Sequence, residues 1–182
     1  MSSRGAADGP GPIVLIGPMA AGKSHLAKYM ARRFGYGCID SDQVIAARHG
    51  PIPELFVARG ERRFREIEAE TVAELLADPA HADSIVSLGG GAPMTPSVRE
   101  LLEQAVVAYL EIDAATVRPR LRSSGSRPML RGDAVARWDQ LLEQRAPTYE
   151  ALADIRLDAR GGRPIARIAA DLHREIEILR GR

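Results

Sequence analysis

Short apolar runs recur along this chain, and longer stretches with apolar residues at helical spacing separate them. Each short run is bounded by glycine or polar residues, and such runs are typical of strands that are buried on both faces of a sheet. They predict five strands, at Ile13–Gly17, Gly37–Asp40, Ser84–Leu88, Val106–Ile112 and Ile155–Asp158.

The longer stretches predict helices. In the first, Leu26, Met30 and Phe34 recur every four residues, and Gly35 follows as a typical C-terminal stop. A second, over Arg62–Ala77, carries its apolar residues on one side. Alternating strands and helices predict an α/β fold with helices on both faces of a parallel sheet. The remaining predicted helices are Ser97–Gln104, Ala114–Arg122, Ala134–Ala146 and Pro164–Leu179, with Pro164 at the first helical position.

The length and composition indicate one ordinary globular domain. The chain has 182 residues, of which 45% are hydrophobic and 27% are charged, as is typical of single-domain proteins. Its formal net charge is +1, so charge provides no argument for binding to nucleic acid or to a membrane surface. No apolar run approaches the length of a membrane-spanning helix. We therefore expect no nucleic acid and no membrane as partners. The apolar content, which is that of one domain, leads us to expect a monomer.

Two local features, the N-terminal segment and the cysteine content, bear on the cellular location of the protein. Residues 1–12, MSSRGAADGPGP, have no hydrophobic stretch after Arg4; they differ from a secretory signal and predict a flexible leader before one domain at 13–182. Cys38 is the only cysteine, so an internal disulfide is excluded and a cytoplasmic location is expected. Its apolar neighbours predict that Cys38 fills the core as a small hydrophobic residue.

The sequence GPMAAGKS, Gly17 to Ser24, lies between the first predicted strand and the first predicted helix. It matches the phosphate-binding pattern G-x-x-x-x-G-K-S, in which glycines let backbone N–H groups turn toward phosphate. Lys23 would reach the β- and γ-phosphates of a nucleotide, and the Ser24 hydroxyl would bind Mg²⁺. A tight strand-to-helix turn is the alternative, but it leaves the Lys–Ser pair unexplained. GTPases, ATP-driven machines and small kinases share such a loop.

Asp40, Ser41 and Asp42 close the second predicted strand. At the carboxyl edge of a parallel sheet they would face the ligand cleft beside the phosphate loop. One carboxylate could serve the metal and the other the hydroxyl of an acceptor. The alternative is structural, since Ser41 or Asp42 could cap the following helix.

Three further stretches are less specific when each is taken alone. In GERRFREIE, Glu61 and Glu68 can flank Arg65 on a helix, as in any helix with surface ion pairs. The glycines at 89–91 follow the third predicted strand and remove side chains where a ligand could touch the backbone, or they form a flexible turn. Arg145, in QRAPTY, lies near a predicted helix C-terminus, where a cation is favourable in any protein.

The stretch from about 118 to 133, RPRLRSSGSRPMLRGD, carries five arginines among Gly, Ser and Pro residues. Like charges this close repel one another unless an anion joins them. The stretch predicts a mobile lid over a polyanionic ligand, with a solvated basic loop as the alternative.

Six motifs taken together resemble those of the shikimate kinase family: GPMAAGKS, DSD, GERRFREIE, SLGGG, SRPML and QRAPTY, in this order. The resemblance extends from Ile13 to the last helix. It implies a P-loop kinase fold of the nucleoside-monophosphate-kinase type, with a five-stranded parallel sheet in the order 2-3-1-4-5. It also implies ATP-dependent transfer of the γ-phosphoryl group to the 3-hydroxyl of shikimate, in chorismate and aromatic amino-acid biosynthesis.

The resemblance implies a role for each matching residue. Asp42 would bind the ring hydroxyls, and Lys23 and Arg127 would neutralise charge on the phosphoryl group in transfer. Ser24 and Asp40 would hold Mg²⁺, with help from Ser87. The implied shikimate-binding residues are Asp42, Arg65, Gly90 and Arg145, with Glu68 orienting Arg65. The implied ATP-binding residues are Gly17, Ala20, Ala21, Gly22, Lys23, Ser24, His25, Arg120 and Arg127, with Arg120 against adenine.

The chain departs from the family pattern at one position in the loop and at one position directly after it. His25 stands where the family usually has Thr, and Met19-Ala20 replaces the commoner Met-Gly pair. The contacts of adenine around 159–164 stay open. Three other functions compete with the family reading: a kinase of gluconate or a cyclitol, a nucleoside monophosphate kinase, and a nucleotide-binding regulatory module without turnover.

Overall fold

Five parallel strands form the centre of the molecule in a computed structural model, which describes residues 11–122 and 134–181. All the pairings among them are parallel, and their order in the sheet is β2-β3-β1-β4-β5. This architecture confirms the predicted α/β class and the strand order that the family resemblance implied. The strands are β1 Ile13–Ile16, β2 Gly37–Asp40, β3 Ser84–Ser87, β4 Val106–Glu111 and β5 Ile155–Asp158.

Seven α-helices of the described chain surround the sheet. They are α1 Lys23–Phe34, α2 Ser41–His49, α3 Ile52–Ala77, α4 Pro96–Leu102, α5 Ala114–Arg122, α6 Ala134–Leu152 and α7 Ile165–Leu179.

The alternating side chains of the buried strands supply both faces of the core. On β1, Ile13 and Leu15 face a cluster that includes residues of α1 and α7. Val14 and Ile16 face a second cluster with residues of α3 and α4. Helix α6 contributes Trp138 to the first cluster and Tyr149 to the second. It therefore connects the two sides of the molecule.

Two helices differ from their predicted extents by more than two residues at one end. Helix α6 continues through Pro147 to Leu152, so Arg145 lies inside it and not near its C-terminus as predicted. Its last turns are held by Tyr149 and Leu152, which are buried in the core, and such packing outweighs the cost of an internal proline. Helix α3 begins at Ile52, ten residues before the predicted start at Arg62, and a break at Gly60 (φ 76°, ψ 166°) divides it.

The predicted burial of Cys38 is wrong, because this residue is exposed. Strand β2 lies at the edge of the sheet, and sequence periodicity does not tell an edge strand from a central one. Pro164 was predicted to be the first residue of α7, but the helix begins one residue later, at Ile165.

Two predicted segments fall largely outside the described residues. Of the leader at 1–12, residues 1–10 lie outside them. Of the lid at 118–133, residues 118–122 form the end of α5, and 123–133, with Arg127, lie outside. Among the described residues, no helix is both long enough and apolar enough to cross a membrane.

Candidate active site

The phosphate loop joins β1 to α1 at the carboxyl edge of the sheet. Gly17 has φ of 138°, and a Cβ there would lie 2.8 Å from the Leu110 carbonyl oxygen. Gly22, with φ of 104°, precedes the first residue of α1. Both positions need glycine, one of them also because of the close backbone of β4. The loop geometry therefore follows from the glycine spacing read in the sequence.

Lys23 is 7% exposed, and its side chain turns back over the loop. Its Nζ donates hydrogen bonds of 2.8 Å to the Gly17 carbonyl and 2.9 Å to the Pro18 carbonyl. Burial lowers the pKa of Lys23 to about 8, while the nearby carboxylates of Asp42 and Asp40 oppose the change. This ammonium group is thus only partly compensated, and an anionic ligand would stabilise its charge.

Two side chains from later in the chain hold the backbone of the loop. Arg120 Nη1 donates to the carbonyl oxygens of Ala20 and Ala21, at 2.9 and 3.0 Å. Trp138 Nε1 donates to the Met19 carbonyl at 2.9 Å. The sequence motifs did not identify Trp138, although it is the only tryptophan of the chain.

The predicted metal residues lie together between the first turn of α1 and the end of β2. Ser24 Oγ donates to Asp40 Oδ2 at 2.5 Å and lies 3.5 Å from Ser87 Oγ. Asp40 is also the N-cap of α2, since its Oδ1 accepts from the Gln43 N–H at 3.2 Å. The structural alternative for this motif therefore applies to Asp40, and not to Ser41 or Asp42. The side chains of Ser24, Asp40 and Ser87 all offer oxygen atoms as possible metal ligands.

Asp42 enters the same cleft from the first turn of α2. Strand β2 ends at Asp40, so Asp42 reaches the cleft from a helix and not along an extended strand. Burial and the neighbouring Asp40 raise the pKa of the Asp42 carboxyl, whereas Lys23 and Arg65 lower it. This carboxyl is placed among cations yet partly removed from water, as in many sites of proton transfer.

Arg65 is held from several directions on the second part of α3. Its Nη1 donates to Glu68 Oε2 at 2.7 Å, and its Nη2 lies 3.4 Å from Glu61 Oε1. Its guanidinium also lies 5.3 Å from the ring centre of Phe64 and 6.0 Å from that of Phe56. The predicted flanking by two glutamates is confirmed. Since a buried carboxylate is costly unless it is paired, Glu68 and Arg65 depend on each other.

Each residue of the triple glycine makes room for a different neighbour. A Cβ at Gly89 would lie 2.7 Å from Asp42 Oδ1, and one at Gly91 would lie 2.7 Å from Arg65 Nη2. A Cβ at Gly90 would lie 3.1 Å from the Met19 nitrogen, within the phosphate loop. A Cβ at Gly89 or Gly91 would displace a side chain of the site, and one at Gly90 would crowd the backbone of the phosphate loop, so this segment packs directly against three parts of the site.

Arg145 reaches the same segment from α6. Its Nη1 donates to the Gly90 carbonyl at 3.4 Å, and the Tyr149 hydroxyl donates to the same oxygen at 2.5 Å. Tyr149 belongs to the QRAPTY motif, but no role was predicted for it, and among the three glycines a role was predicted for Gly90 alone.

These groups line two cavities. The larger, about 1310 Å³, is lined by the loop from Met19 to His25, by Asp40 and Asp42, and by Arg120. The smaller, about 510 Å³, is lined by Arg65, Arg145 and the segment from Met94 to Ser97. Glu61 lines both. The described residues that were predicted to form the site thus lie close together around these two cavities, which share Glu61 in their linings.

The family model described as shikimate kinase matches residues 19–177 of the chain. The chain belongs to the shikimate kinase family. A protein named shikimate kinase from Mycobacterium avium is 41% identical over 153 residues, which cover 83% of this chain and 85% of the relative. One of the same name from Rhodococcus erythropolis is 40% identical over 161 residues, covering 87% and 93%.

Solved structures of shikimate kinases have the same fold. The enzyme from Acinetobacter baumannii, in complex with shikimate, matches with a TM-score of 0.78 and 28% identity over 94% of this chain and 93% of its own. The enzyme from Bacteroides thetaiotaomicron has a TM-score of 0.77 and 32% identity, covering 93% and 98%. The predicted P-loop kinase fold, family and enzyme class are confirmed, and as a member of the shikimate kinase family the protein is a kinase that uses ATP.

A gluconokinase from Sinorhizobium meliloti matches with a TM-score of 0.58 and 22% identity, over 93% of this chain and 95% of its own. This likeness concerns the fold alone. The family match does not favour the competing functions, whether a gluconate, cyclitol or nucleoside monophosphate kinase or a regulatory module.

Proposed function

We propose that this protein transfers the γ-phosphoryl group of ATP to the 3-hydroxyl of shikimate, giving shikimate 3-phosphate and ADP, in chorismate and aromatic amino-acid biosynthesis. We propose further that it acts as a monomer in the cytoplasm. Membership of the shikimate kinase family supports the reaction, and a structurally similar family member is in complex with shikimate.

One observation carries the proposal for this site. The segment Gly89–Gly91 packs against Asp42 at one end and Arg65 at the other, and its middle residue lies against the phosphate loop and accepts from Arg145. Two guanidinium groups suit the carboxylate of an anionic substrate, and a carboxylate suits its hydroxyls. An acid that also carries hydroxyl groups would therefore be held with an acceptor oxygen beside the phosphates.

On the nucleotide side, the loop from Gly17 to Ser24 would surround the phosphates with backbone N–H groups and the N-terminus of α1. Lys23 Nζ would exchange the Gly17 and Pro18 carbonyls for phosphate oxygens and stabilise charge that develops during transfer. Arg127, which lies outside the described residues, is proposed to add a second cation there. Arg120 is proposed to lie against adenine and His25 to contact the nucleotide; both residues line the large cavity.

The Ser24, Asp40 and Ser87 side chains fit Mg²⁺, because the ion prefers oxygen ligands and commonly retains several waters beside one carboxylate. Among the described residues, no group of three or more His, Cys, Asp or Glu side chains could hold a metal, so a site of this mixed kind is the one to test. When bound, Mg²⁺ neutralises phosphate charge. Ser24 and Asp40 would orient toward it.

On the shikimate side, Arg65 and Arg145 would bind the carboxylate, with Glu68 orienting Arg65 and the Gly90 N–H contributing a donor. Asp42 would accept a hydrogen bond from the acceptor hydroxyl, either as the general base or as an orienting group. Its raised pKa agrees with the first role, and its position among cations agrees with both.

The direct test measures ADP release by the purified protein with Mg-ATP, in parallel with shikimate, quinate, gluconate or no acceptor. We expect release to depend on shikimate, because its carboxylate and hydroxyls match the groups around Gly89–Gly91. Release with another acid alone would retain the fold and the phosphate loop but reassign Arg65 and Arg145. No release with any acceptor would contradict the proposed function.

The Gly91→Ala variant tests the shikimate side without removing a charged group. The backbone of Gly91 (φ −93°, ψ −18°) suits any residue, so the added methyl group should displace the flexible Arg65 guanidinium and leave the fold intact. We expect the KM for shikimate to rise about tenfold, from a weakened charge-assisted contact, with little change in the KM for ATP. An unchanged KM for shikimate in a folded variant would remove Arg65 from the substrate site.

A further inference from the structure

Tyr149 is a buried residue to which none of the proposed roles refers. Its side chain is fully buried, and its ring centre lies 5.3 Å from that of Tyr109 in the core. Its hydroxyl nevertheless reaches the Gly90 carbonyl at 2.5 Å. A buried tyrosine commonly combines apolar packing of the ring with one directed hydrogen bond. This bond connects α6 to the loop that follows β3.

The same carbonyl oxygen accepts a second hydrogen bond from α6, donated by Arg145. Arg145 and Tyr149 are four residues apart and therefore lie on one face of the helix. Burial raises the pKa of the Tyr149 hydroxyl, and the adjacent Arg145 partly opposes that rise. The hydroxyl therefore retains its proton at neutral pH and remains a donor. One oxygen thus receives both donors.

The Gly90 carbonyl belongs to the planar peptide unit that joins Gly90 to Gly91. Gly91 is the residue that leaves room for the Arg65 guanidinium, since a Cβ there would lie 2.7 Å from Nη2 and 2.8 Å from Nη1 of Arg65. The orientation of this peptide unit therefore affects two guanidinium groups. It sets the position of the Gly90 carbonyl oxygen, to which Arg145 donates, and it forms the surface beside which Arg65 lies.

We propose that Tyr149 is a positioning residue for carboxylate recognition: its hydroxyl orients the Gly90–Gly91 peptide and thereby the guanidinium groups of Arg145 and Arg65. This inference rests on the proposed function, in which those two groups bind the carboxylate of shikimate. Tyr149 itself does not touch the substrate. Its effect is on the affinity for the acid, and not on the affinity for ATP.

The test compares Tyr149→Phe with Tyr109→Phe. The first variant retains the ring and removes the hydroxyl that bonds Gly90. The second removes a hydroxyl from the adjacent ring, on a residue whose pKa is raised to about 12 mainly by burial and which makes no bond to Gly90 among the described contacts. We expect Tyr149→Phe to raise the KM for shikimate about three- to tenfold, the effect of one lost hydrogen bond.

The other kinetic constants separate positioning from general destabilisation. For Tyr149→Phe the KM for ATP should stay within about twofold of wild type, and for Tyr109→Phe both KM values should do so. The thermal unfolding midpoint is measured for every variant. A lowered midpoint with an unchanged KM for shikimate would make Tyr149 a structural residue and overturn the proposal.

A double-mutant cycle with Arg145→Ala examines whether Tyr149 acts through the guanidinium groups. We expect the effect of Tyr149→Phe on kcat/KM for shikimate to shrink at least about threefold when Arg145 is absent, since part of what Tyr149 positions is gone. Equal effects in both backgrounds would contradict the proposed route.

Amide hydrogen exchange at residues 89–91, measured without any substrate, keeps this inference distinct from the proposed function. We expect exchange there to be at least about threefold faster in Tyr149→Phe than in wild type, and unchanged in Tyr109→Phe. If wild type does not phosphorylate shikimate, the proposed function fails, and the exchange rates still decide whether Tyr149 holds the loop. Unchanged exchange would overturn its positioning role.

Discussion

Lys23→Ala is expected to lower kcat by on the order of 10³-fold, because it removes a cation from the place where charge develops on the transferring phosphoryl group. Lys23 is buried at the base of the loop, with its pKa lowered to about 8 by burial. A neighbouring cation cannot replace it easily, since Arg120 is engaged with the Ala20 and Ala21 carbonyls. The measurement is steady-state ADP release with saturating ATP and shikimate.

Lys28→Ala is the matched control for this prediction. Lys28 lies on the same helix, α1, but it is exposed. The control should retain the kcat of wild type, and both variants should unfold at similar temperatures. Activity of Lys23→Ala near that of wild type would reject the assignment of the phosphate loop, however well the sequence matches its pattern.

Arg145→Ala is expected to raise the KM for shikimate by on the order of 10²-fold, since a charge-assisted contact to the substrate carboxylate is lost from a partly buried position. The KM for ATP should change far less. The Gly90 carbonyl would retain the Tyr149 hydroxyl as a donor, so the loop itself should remain in place. Initial rates measured over a range of each substrate separate the two constants.

Arg137→Ala provides the comparison, because Arg137 lies on the same helix as Arg145 and is exposed. It should change neither KM, while Arg145→Lys should show an intermediate effect, since lysine retains the charge but loses the planar pair of donors. An equal rise in both KM values for Arg145→Ala would exclude Arg145 from the shikimate site.

Local patterns predicted most of the sheet, because each strand is a short apolar run with clear ends. The extents predicted for β2 and β5 agree with the structure, and those for β1, β3 and β4 end one residue late. The phosphate loop could be predicted equally well, since the positive φ values at Gly17 and Gly22 are requirements of the local backbone. Features of this kind depend on neighbours in the sequence.

The wrong predictions concern features that depend on packing between parts of the chain that are far apart in the sequence. Cys38 has apolar neighbours in sequence, but it is exposed on an edge strand. Arg145 was placed near a helix end, yet α6 continues to Leu152, where Tyr149 and Leu152 are buried in the core. In each case tertiary packing, which no local window contains, outweighed the local preference.

The sequence by itself determined the fold class, the phosphate loop and the family, because these depend on local spacing and on motifs in a constant order. Only the tertiary structure decided why three glycines stand in a row, each leaving room for a different neighbour. It also decided the contacts of Trp138 and Tyr149, which lie on one helix and bond the Met19 and Gly90 carbonyls. Those bonds join residues 119 and 59 positions apart, and contacts over such separations exist only once the sheet and helices have packed together.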